Sequence, residues 1–197
     1  MNFLAHLTLS HFSADLQVGN FVGDFVRGRE LAQLPEPVQR GVRFHRAIDA
    51  LTDRDPDVRQ LNKLLTTRHG RYAPVVSDIA FDYFLYRNWS LYGPEPFALF
   101  RDRTYARLLR SRPQLSGRLN GYLDGMVSGD WLQLYTSRDG MDRVFERLLG
   151  RLSRPEMLTG VSDTLDNYAG HFNLTLHRLF PRLQQLSDTY RDHPRSA

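Results

Sequence analysis

Residues 74–89 read PVVSDIAFDYFLYRNW, a segment in which apolar side chains cover nearly every face of a helix. A helix on the protein surface keeps one polar face, whereas a helix that is apolar all round is surrounded by other elements. This segment is therefore predicted to be the central helix of a bundle. Pro74 suits its first turn, where a backbone amide proton would have no partner within the helix.

Apolar residues recur at helical spacing through almost the whole chain, and no alternating run bounded by hairpin signals stands out. The sequence therefore predicts an all-α fold, a helical bundle that forms one domain over residues 1–197. Helices are expected near residues 2–11, 14–28, 35–52, 55–65, 74–89, 97–111, 114–127, 141–152 and 157–180. Pro181 is expected to kink or break the last helix, and the polar tail from about residue 188 to fray.

The composition limits which kinds of catalytic site and which cellular compartment are expected. At 41% hydrophobic and 197 residues, the chain is able to bury the core of one domain. It contains no cysteine, which excludes disulfides, thiolate zinc sites and cysteine nucleophiles. Its apolar runs are too short to span a bilayer, and its first residues, MNFLAHLTLS, lack the basic start of a signal peptide. A soluble, cytoplasmic protein without a membrane partner is expected.

The charge balance favours an acidic or phosphorylated partner. The chain has 26 basic and 22 acidic residues, and every basic residue except Lys63 is an arginine. Arginine presents a planar fork of donors that suits phosphate and carboxylate groups. These arginines are spread along the chain, and no basic block, zinc finger or RNA-binding motif is present. A nucleic-acid partner is therefore not expected.

Asp78 and Asp82 lie one helical turn apart in the central helix and are expected to be buried with it. A desolvated carboxylate is costly unless it is paired or bound to a metal ion. None of the residues one turn away is basic, so the helix itself offers no neutralising charge. The pair therefore indicates a metal site, with an arginine from another helix or hydrogen bonds from backbone amides as the alternatives.

A second couple with the same spacing lies in residues 41–53, GVRFHRAIDALTD, where His45 and Asp49 share one helix face. An imidazole and a carboxylate one turn apart suit a divalent ion that accepts both nitrogen and oxygen ligands. The alternative is an ordinary surface ion pair between Asp49 and Arg46.

Residues 19–28, GNFVGDFVRG, repeat the four-residue spacing with Asn20 and Asp24. The glycines in this segment allow another backbone or a phosphate to approach closely. A pair between Asp24 and Arg27 is the alternative. His6 stands in the apolar stretch FLAHL, where a histidine on its own is more often part of the core than a ligand.

Several other catalytic chemistries lack their sequence signatures. The chain contains no HExxH, GxxxxGK[ST], GxSxG or GxGxxG. What remains is a helical bundle with a cluster of histidines and aspartates. Such a cluster points to metal-assisted hydrolysis, in which a bound ion activates water and neutralises charge on a phosphoryl group.

Four blocks in order resemble the acyl carrier protein phosphodiesterase family, a helical group regarded as a divergent branch of the HD-type metal phosphohydrolases. The blocks are MNFLAHL at residues 1–7, GNFVGDFVRG at 19–28, GVRFHRAIDALTD at 41–53, and the segment 71–89. The resemblance thins out in the C-terminal half, where mainly FPRL at 180–183 agrees. The chain departs from the ordinary HD pattern because it contains no adjacent His-Asp pair.

The resemblance implies hydrolysis of the phosphodiester between 4′-phosphopantetheine and a serine of holo acyl carrier protein, which would be the protein partner. It also implies a manganese cofactor, or another divalent ion, with one or two ions bound. The implied metal ligands are Asp24, His45, Asp49 and Asp78. His6 and Asp82 would complete the site as catalytic residues, with His6 a candidate acid.

The residues beside these motifs are the candidates for substrate binding. They are Asn20, Arg27, Arg43, Arg46 and Arg71. The arginines could hold the phosphate or the acidic helices of a carrier protein. Two other functions stay open at this point: a phosphohydrolase acting on a nucleotide or another small phosphate ester, and a noncatalytic helical protein that binds an acidic partner.

Overall fold

The computed structural model describes residues 1–150 and 152–191, and within these ranges the chain is all-α with no strand. The helices are α1 (Phe3–Leu9), α2 (Ala14–Val22), α3 (Glu36–Arg54), α4 (Pro56–His69), α5 (Ala73–Arg87), α6 (Trp89–Tyr92), α7 (Phe97–Arg110), α8 (Gly117–Ser128), α9 (Trp131–Leu134), α10 (Arg138–Leu149), α11 (Val161–Asn167) and α12 (Ala169–Arg191). Short 3₁₀ helices cover Gly28–Gln33, Gly70–Tyr72, Arg112–Gln114 and Pro155–Leu158. None of the described helices has both the length and the apolar character needed to cross a bilayer.

Helix α5 is the central helix, as its sequence predicts. It packs against α1, α4 and α12, and every residue from Ile79 to Leu85 is buried. Phe84 stacks on Phe172 of α12, with ring centroids 4.9 Å apart. Burying one such side chain contributes about 1.5–3 kcal/mol, so these contacts hold α5 and α12 together as the core of the bundle.

Helices α2 and α3 touch through their backbones. A Cβ atom on Gly19 would lie 2.6 Å from the Cα atom of Gly41 and 2.1 Å from the carbonyl oxygen of Val38. Any side chain at Gly19 would therefore separate the two helices. Because the helices approach so closely, the end of α2 lies directly against the middle of α3, which carries His45.

The start of α4 also agrees with the sequence. The Asp55 side chain accepts hydrogen bonds from the backbone amides of Asp57, at 2.9 Å, and Val58, at 3.2 Å. Pro56 occupies the first helical position. The helix then continues to His69, four residues beyond the expected end at Leu65.

The expected end of α2 near Gly28 is wrong. The helix ends at Val22, and the amides of Phe25 and Val26 both donate to the Val22 carbonyl oxygen, which closes a turn. Gly28 instead begins a 3₁₀ helix with a φ of +49°. Asp24 therefore lies in the turn after α2 rather than on the helix face of Asn20.

Of the kink or break expected at Pro181, the break is wrong, because α12 continues through this residue to Arg191. Proline removes one helical hydrogen bond, but Leu179 and Phe180 before it and Leu183 after it are fully buried. Packing therefore holds both halves in place. The single helix expected over 157–180 is instead a 3₁₀ turn, α11 and the start of α12. The tail expected to fray is helical to residue 191, and residues 192–197 lie outside the described part of the chain.

Candidate metal centre

His6 of α1 and the His45–Asp49 couple of α3 converge on one point. One ligand atom from each residue lies within 4.8 Å of the other two. The His6 Nε2 atom is 3.1 Å from Asp49 Oδ1, and the His45 Nε2 atom is 3.1 Å from Asp49 Oδ2. The two imidazole rings stack with centroids 4.1 Å apart. The structure therefore brings together two residues predicted as metal ligands and one predicted as a catalytic group.

Asn20 fixes the orientation of both imidazoles. Its side-chain oxygen lies 2.8 Å from His6 Nδ1, and its backbone oxygen lies 3.0 Å from His45 Nδ1. The backbone oxygen only accepts, so His45 carries a proton on Nδ1, and the Asn20 side chain, with its oxygen towards His6, takes the same part for that ring. Each Nε2 atom is thereby directed to the cluster, as outer hydrogen bonds commonly arrange for metal-binding histidines. Asn20 is buried, so it lies behind the histidines rather than at the surface.

The turn after α2 completes one side of the cluster. A Cβ atom on Gly23 would lie 2.4 Å from His45 Cγ, so the ring of His45 fits only because residue 23 is a glycine. The next residue, Asp24, places Oδ1 3.3 Å from His45 Nε2. The side chains of Asp24 and Asp49 are 43% and 41% exposed, whereas both histidines are buried. The cluster is therefore reached from solvent on its carboxylate side.

The charges of these residues are strongly coupled. Burial lowers the pKa of His45, but hydrogen bonds and charges from Asp24 and Asp49 outweigh it and raise the pKa to about 9. Burial raises the pKa of Asp49, but hydrogen bonds from His45 and His6 hold it well below its usual range. In the absence of a metal ion, a proton on His45 is what neutralises the carboxylates.

The donor set fits a divalent ion. Two imidazole nitrogens and one carboxylate converge, and a second carboxylate, Asp24, lies beside them. Mixed nitrogen and oxygen ligands suit divalent transition ions such as manganese or zinc, and this set alone does not select one of them. A bound ion would take the place of the proton that His45 Nε2 holds between the two carboxylates.

Asp78 has a different partner from the one expected. Its carboxylate contacts the terminal ammonium group of Met1, and its side chain is 43% exposed. The expectation that Asp78 is buried is therefore wrong. Burial lowers the pKa of the ammonium group, but the charge of Asp78 and its hydrogen bond raise it above the ordinary value. The Met1 carbonyl oxygen lies 3.1 Å from His6 Nε2, which places Asp78 at the border of the cluster. Its predicted role as a ligand stays a prediction.

Asp82 is fully buried, as expected. Its two oxygens accept hydrogen bonds from the amides of Leu4, at 2.6 Å, and Ala5, at 3.1 Å, in the first turn of α1. The backbone-amide alternative is thus what the structure contains. Burial raises the pKa of Asp82 to about 8 although these hydrogen bonds lower it. Asp82 holds the helix that carries His6, and its catalytic role stays a prediction.

The described residues contain no arginine paired with any of the four aspartates of this region. Asp24 and Asp49 contact histidines, so neither the Arg27 nor the Arg46 alternative is formed. Arg43 pairs with Glu36, and Arg71 donates to the hydroxyl groups of Tyr72 and Ser153. Arg27 and Arg46 are exposed and form no ion pair with a described residue. They are the two predicted substrate-binding arginines that have neither an ion pair nor a side-chain hydrogen bond with a described residue.

A cleft beside Asp24 contains residues that the sequence did not single out. It has a volume of about 380 Å³ and runs between the start of α1 and helices α8, α9 and α10. Trp131 and Tyr135 form part of its wall. They lie four residues apart in a segment without ligand spacing, and the only signal was the aromatic pair itself. Such pairs more often belong to a core.

The chain matches known proteins over most of its length. A family model described as acyl carrier protein phosphodiesterase matches residues 1–183. A protein of that name from Escherichia coli O6:H1 is 34% identical over 190 residues, covering 94% of this chain and 96% of its own. One from Klebsiella pneumoniae subsp. pneumoniae is 30% identical over 192 residues, covering 95% and 98%. One from Enterobacter sp. strain 638 is 33% identical over 187 residues, covering 93% and 95%. No solved structure matches the chain significantly.

Proposed function

The chain belongs to the acyl carrier protein phosphodiesterase family, and from this we propose that it is a phosphodiesterase of holo acyl carrier protein. The reaction hydrolyses the bond between 4′-phosphopantetheine and the carrier serine, giving apo carrier protein and free phosphopantetheine. The bond between phosphorus and the serine oxygen breaks, water supplies the new oxygen on phosphorus, and the serine oxygen takes a proton.

The observation that carries this proposal is the convergence of His6, His45 and Asp49 beside the half-exposed Asp24. We assign these four residues as ligands of a divalent ion, with manganese as the proposed metal. Such an ion supplies activation of water and stabilisation of the negative charge on the phosphoryl oxygens. The open carboxylate side of the cluster is where the phosphodiester would enter.

His6 fits a ligand better than an acid. Its Nδ1 atom is engaged by the Asn20 side chain, and its Nε2 atom belongs to the converging group. A residue with both ring nitrogens engaged has no free proton to give to the departing serine oxygen. Asn20, in turn, orients the imidazoles from behind, and we assign it this role in place of direct contact with substrate.

Two aspartates of the central helix α5 hold the start of α1, and with it His6, in place. Asp82 accepts the amides of Leu4 and Ala5, and Asp78 contacts the Met1 ammonium group. Because both contacts join α1 to the central helix α5, they fix the position of His6 against α3.

The exposed arginines offer a docking surface for the carrier protein. Arg27 follows the turn that carries Asp24, and Arg46 follows His45 directly in sequence. Exposed guanidinium groups attract an acidic partner and speed its association. We assign Arg27 and Arg46 to this surface, and a lesser part of it to Arg43 and Arg71, because each of these already has a partner.

The experiment is release of phosphopantetheine from holo acyl carrier protein by the purified chain with manganese, followed by mass spectrometry of the carrier protein. The expected product is apo carrier protein, with no release when a chelator is added. A parallel panel of nucleotides and small phosphate esters tests the alternative substrates. Turnover of that panel without turnover of the carrier protein would contradict the proposal.

A further inference from the structure

The cleft beside Asp24 has the character of a binding site for an extended, largely uncharged chain. Aromatic side chains line much of it, including Phe3, Phe25, Tyr122 and Trp131. Its volume, about 380 Å³, lies in the range of small-molecule sites. Asp24 belongs both to this cleft and to the metal centre, so the two are continuous.

Two glycines of α8 keep one wall of the cleft free of side chains. Gly121 and Gly125 lie one helical turn apart and both line the cleft. A Cβ atom on Gly121 would meet nothing within 4 Å, and one on Gly125 would make only ordinary contact with Trp131, at 3.5 Å. Glycine is unfavourable inside a helix, and here no neighbouring atom requires it. The open space at Gly121 is therefore a property of the cleft and not a result of close packing.

Tyr135 supplies a polar group without a protein partner. Its side chain lines the cleft and is only 2% exposed, yet its hydroxyl forms no hydrogen bond with any described residue. Tyr105 shows the usual situation, since its hydroxyl donates to Asp130 and accepts from the Leu132 amide. The hydroxyl oxygen of Tyr135 is not among the fully buried side-chain atoms that lack a partner, so it is open to the cleft. The hydroxyl of Tyr135 is thus available to a ligand.

The hydroxyl of Tyr135 is protonated and therefore suits a hydrogen-bond acceptor such as phosphate. Burial, and then the charges of Asp82, Asp78 and Asp24, raise the pKa of Tyr135 well above its ordinary value. The phenol therefore keeps its proton at neutral pH and acts as a donor. Tyr135 and Asp24 both line this cleft.

We propose that this cleft holds the pantetheine arm of the prosthetic group, with its phosphate towards Asp24 and the hydroxyl of Tyr135 as a hydrogen-bond donor to that end. This assignment rests on the proposed function, since the phosphorus must lie at the metal centre. The first part of the arm beyond the phosphate is a branched, uncharged carbon unit followed by amides. Aromatic walls and a glycine wall free of side chains accommodate such a chain, and Arg147 also lines the cleft.

The test measures binding of free 4′-phosphopantetheine by tryptophan fluorescence, to which Trp131 in the cleft wall contributes, with and without manganese. Gly121→Leu fills the cleft and is expected to weaken binding at least tenfold. Tyr135→Phe removes only the hydroxyl and is expected to weaken binding about tenfold, as for a lost hydrogen bond to a charged group. Gly117→Leu is the matched control, because it lies on the same helix in open space and does not line the cleft.

The second readout compares hydrolysis of holo acyl carrier protein with hydrolysis of bis(4-nitrophenyl) phosphate, which has no pantetheine arm. Gly121→Leu should reduce kcat/KM for the carrier protein at least tenfold more than for the small diester, and Gly117→Leu should change neither. Equal losses on both substrates, or unchanged binding of phosphopantetheine by both cleft variants, would overturn the assignment. If Gly121→Leu fails to fold, Tyr135→Phe alone decides by the same two measurements.

These outcomes separate the cleft from the proposed function. Binding that is lost in the cleft variants, without turnover of the carrier protein by the unaltered chain, would support the cleft and reject the activity. Turnover of the carrier protein with phosphopantetheine binding unchanged in the variants would support the activity and reject the cleft.

Discussion

The His45–Asp49 couple of α3 and the Asp78–Asp82 couple of α5 have the same spacing but different surroundings. Asp49 contacts the Nε2 atoms of two buried histidines and remains 41% exposed. Asp82 is fully buried and is held by the first amides of α1, and Asp78 contacts the Met1 ammonium group. Asp49 contacts only other candidate ligands, whereas Asp78 and Asp82 are satisfied by the Met1 ammonium group and the first amides of α1.

This difference shows that burial of a carboxylate does not by itself indicate a metal site. The first amides of a helix have no partner within it and carry a partial positive charge, so they stabilise a carboxylate without a metal ion. Burial of Asp82 is therefore explained by the start of α1. Converging imidazoles beside an accessible carboxylate are the stronger sign of a metal centre, since three ligand atoms from two helices then face one point.

The largest expected effect is at His45. Replacing an outer hydrogen-bond partner of a metal site typically costs about 10- to 100-fold in affinity or activity, so removing a ligand should cost more. His45→Ala is expected to lose bound manganese and at least about 100-fold in kcat/KM for holo carrier protein. Metal analysis and phosphopantetheine release are the measurements. The control is Asp53→Asn, because Asp53 is an exposed residue of the same helix; it should change neither the bound manganese nor kcat/KM. Full manganese occupancy in His45→Ala would show that the His45–Asp49 couple is not a metal site.

Asn20 should show the next largest effect. Asn20→Ala removes the side-chain acceptor of the His6 Nδ1 proton and leaves the backbone bond to His45 in place. Manganese affinity is expected to fall by about 10- to 100-fold, the range of outer partners. Isothermal titration measures it. An unchanged affinity would show that packing alone orients His6.

The pH dependence of manganese affinity tests whether His45, of the first couple, is a metal ligand. Without metal, the pKa of His45 is raised to about 9, so its proton must leave before an ion binds below that pH. Manganese affinity should therefore rise with pH, by about tenfold per pH unit for one displaced proton, until the pH reaches about 9. Titrations in buffers of different ionisation enthalpy count the released protons. Affinity independent of pH would mean that His45 is not a ligand.

Asp78→Asn tests the prediction that Asp78 is itself a ligand. If its partner remains the Met1 ammonium group, manganese affinity should change by less than about tenfold, below the range of outer partners. A loss greater than about 100-fold would place Asp78 in the metal site and make the two couples parts of one centre. The same metal titration decides between these outcomes.

The last prediction concerns folding stability and not metal binding, and its subject is Asp82. Burial raises its pKa to about 8 in the folded chain, above the ordinary value of 3.8. Its stabilising contribution is then fully present below about pH 4 and is lost as the pH rises through about 8. The difference in Tm between the unaltered chain and Asp82→Asn should move in favour of the variant across this interval. A constant difference would show that the α1 amides keep Asp82 ionised throughout.

Much of the fold could be predicted from the sequence because helical periodicity is local. The central position of α5 follows from its apolar faces, and the start of α4 follows from the Asp55–Pro56 cap. The ends of α2 and α12 were predicted wrongly because they do not depend on the local sequence alone. The turn at Val22 and the continuation through Pro181 depend on packing against other helices, which outweighs the preference of a single residue.

Within the candidate site, the sequence by itself determined that His45 and Asp49 meet, because residues four apart on a helix share a face whatever the fold. It also determined that Asp82 would be buried in the central helix. Only the tertiary structure decided that His6 joins the couple, that Asn20 orients both rings and that Met1 and the start of α1 satisfy Asp78 and Asp82. It alone brought Trp131 and Tyr135 beside Asp24. Such contacts join residues far apart in the chain, so they depend on how the helices pack and not on any local repeat.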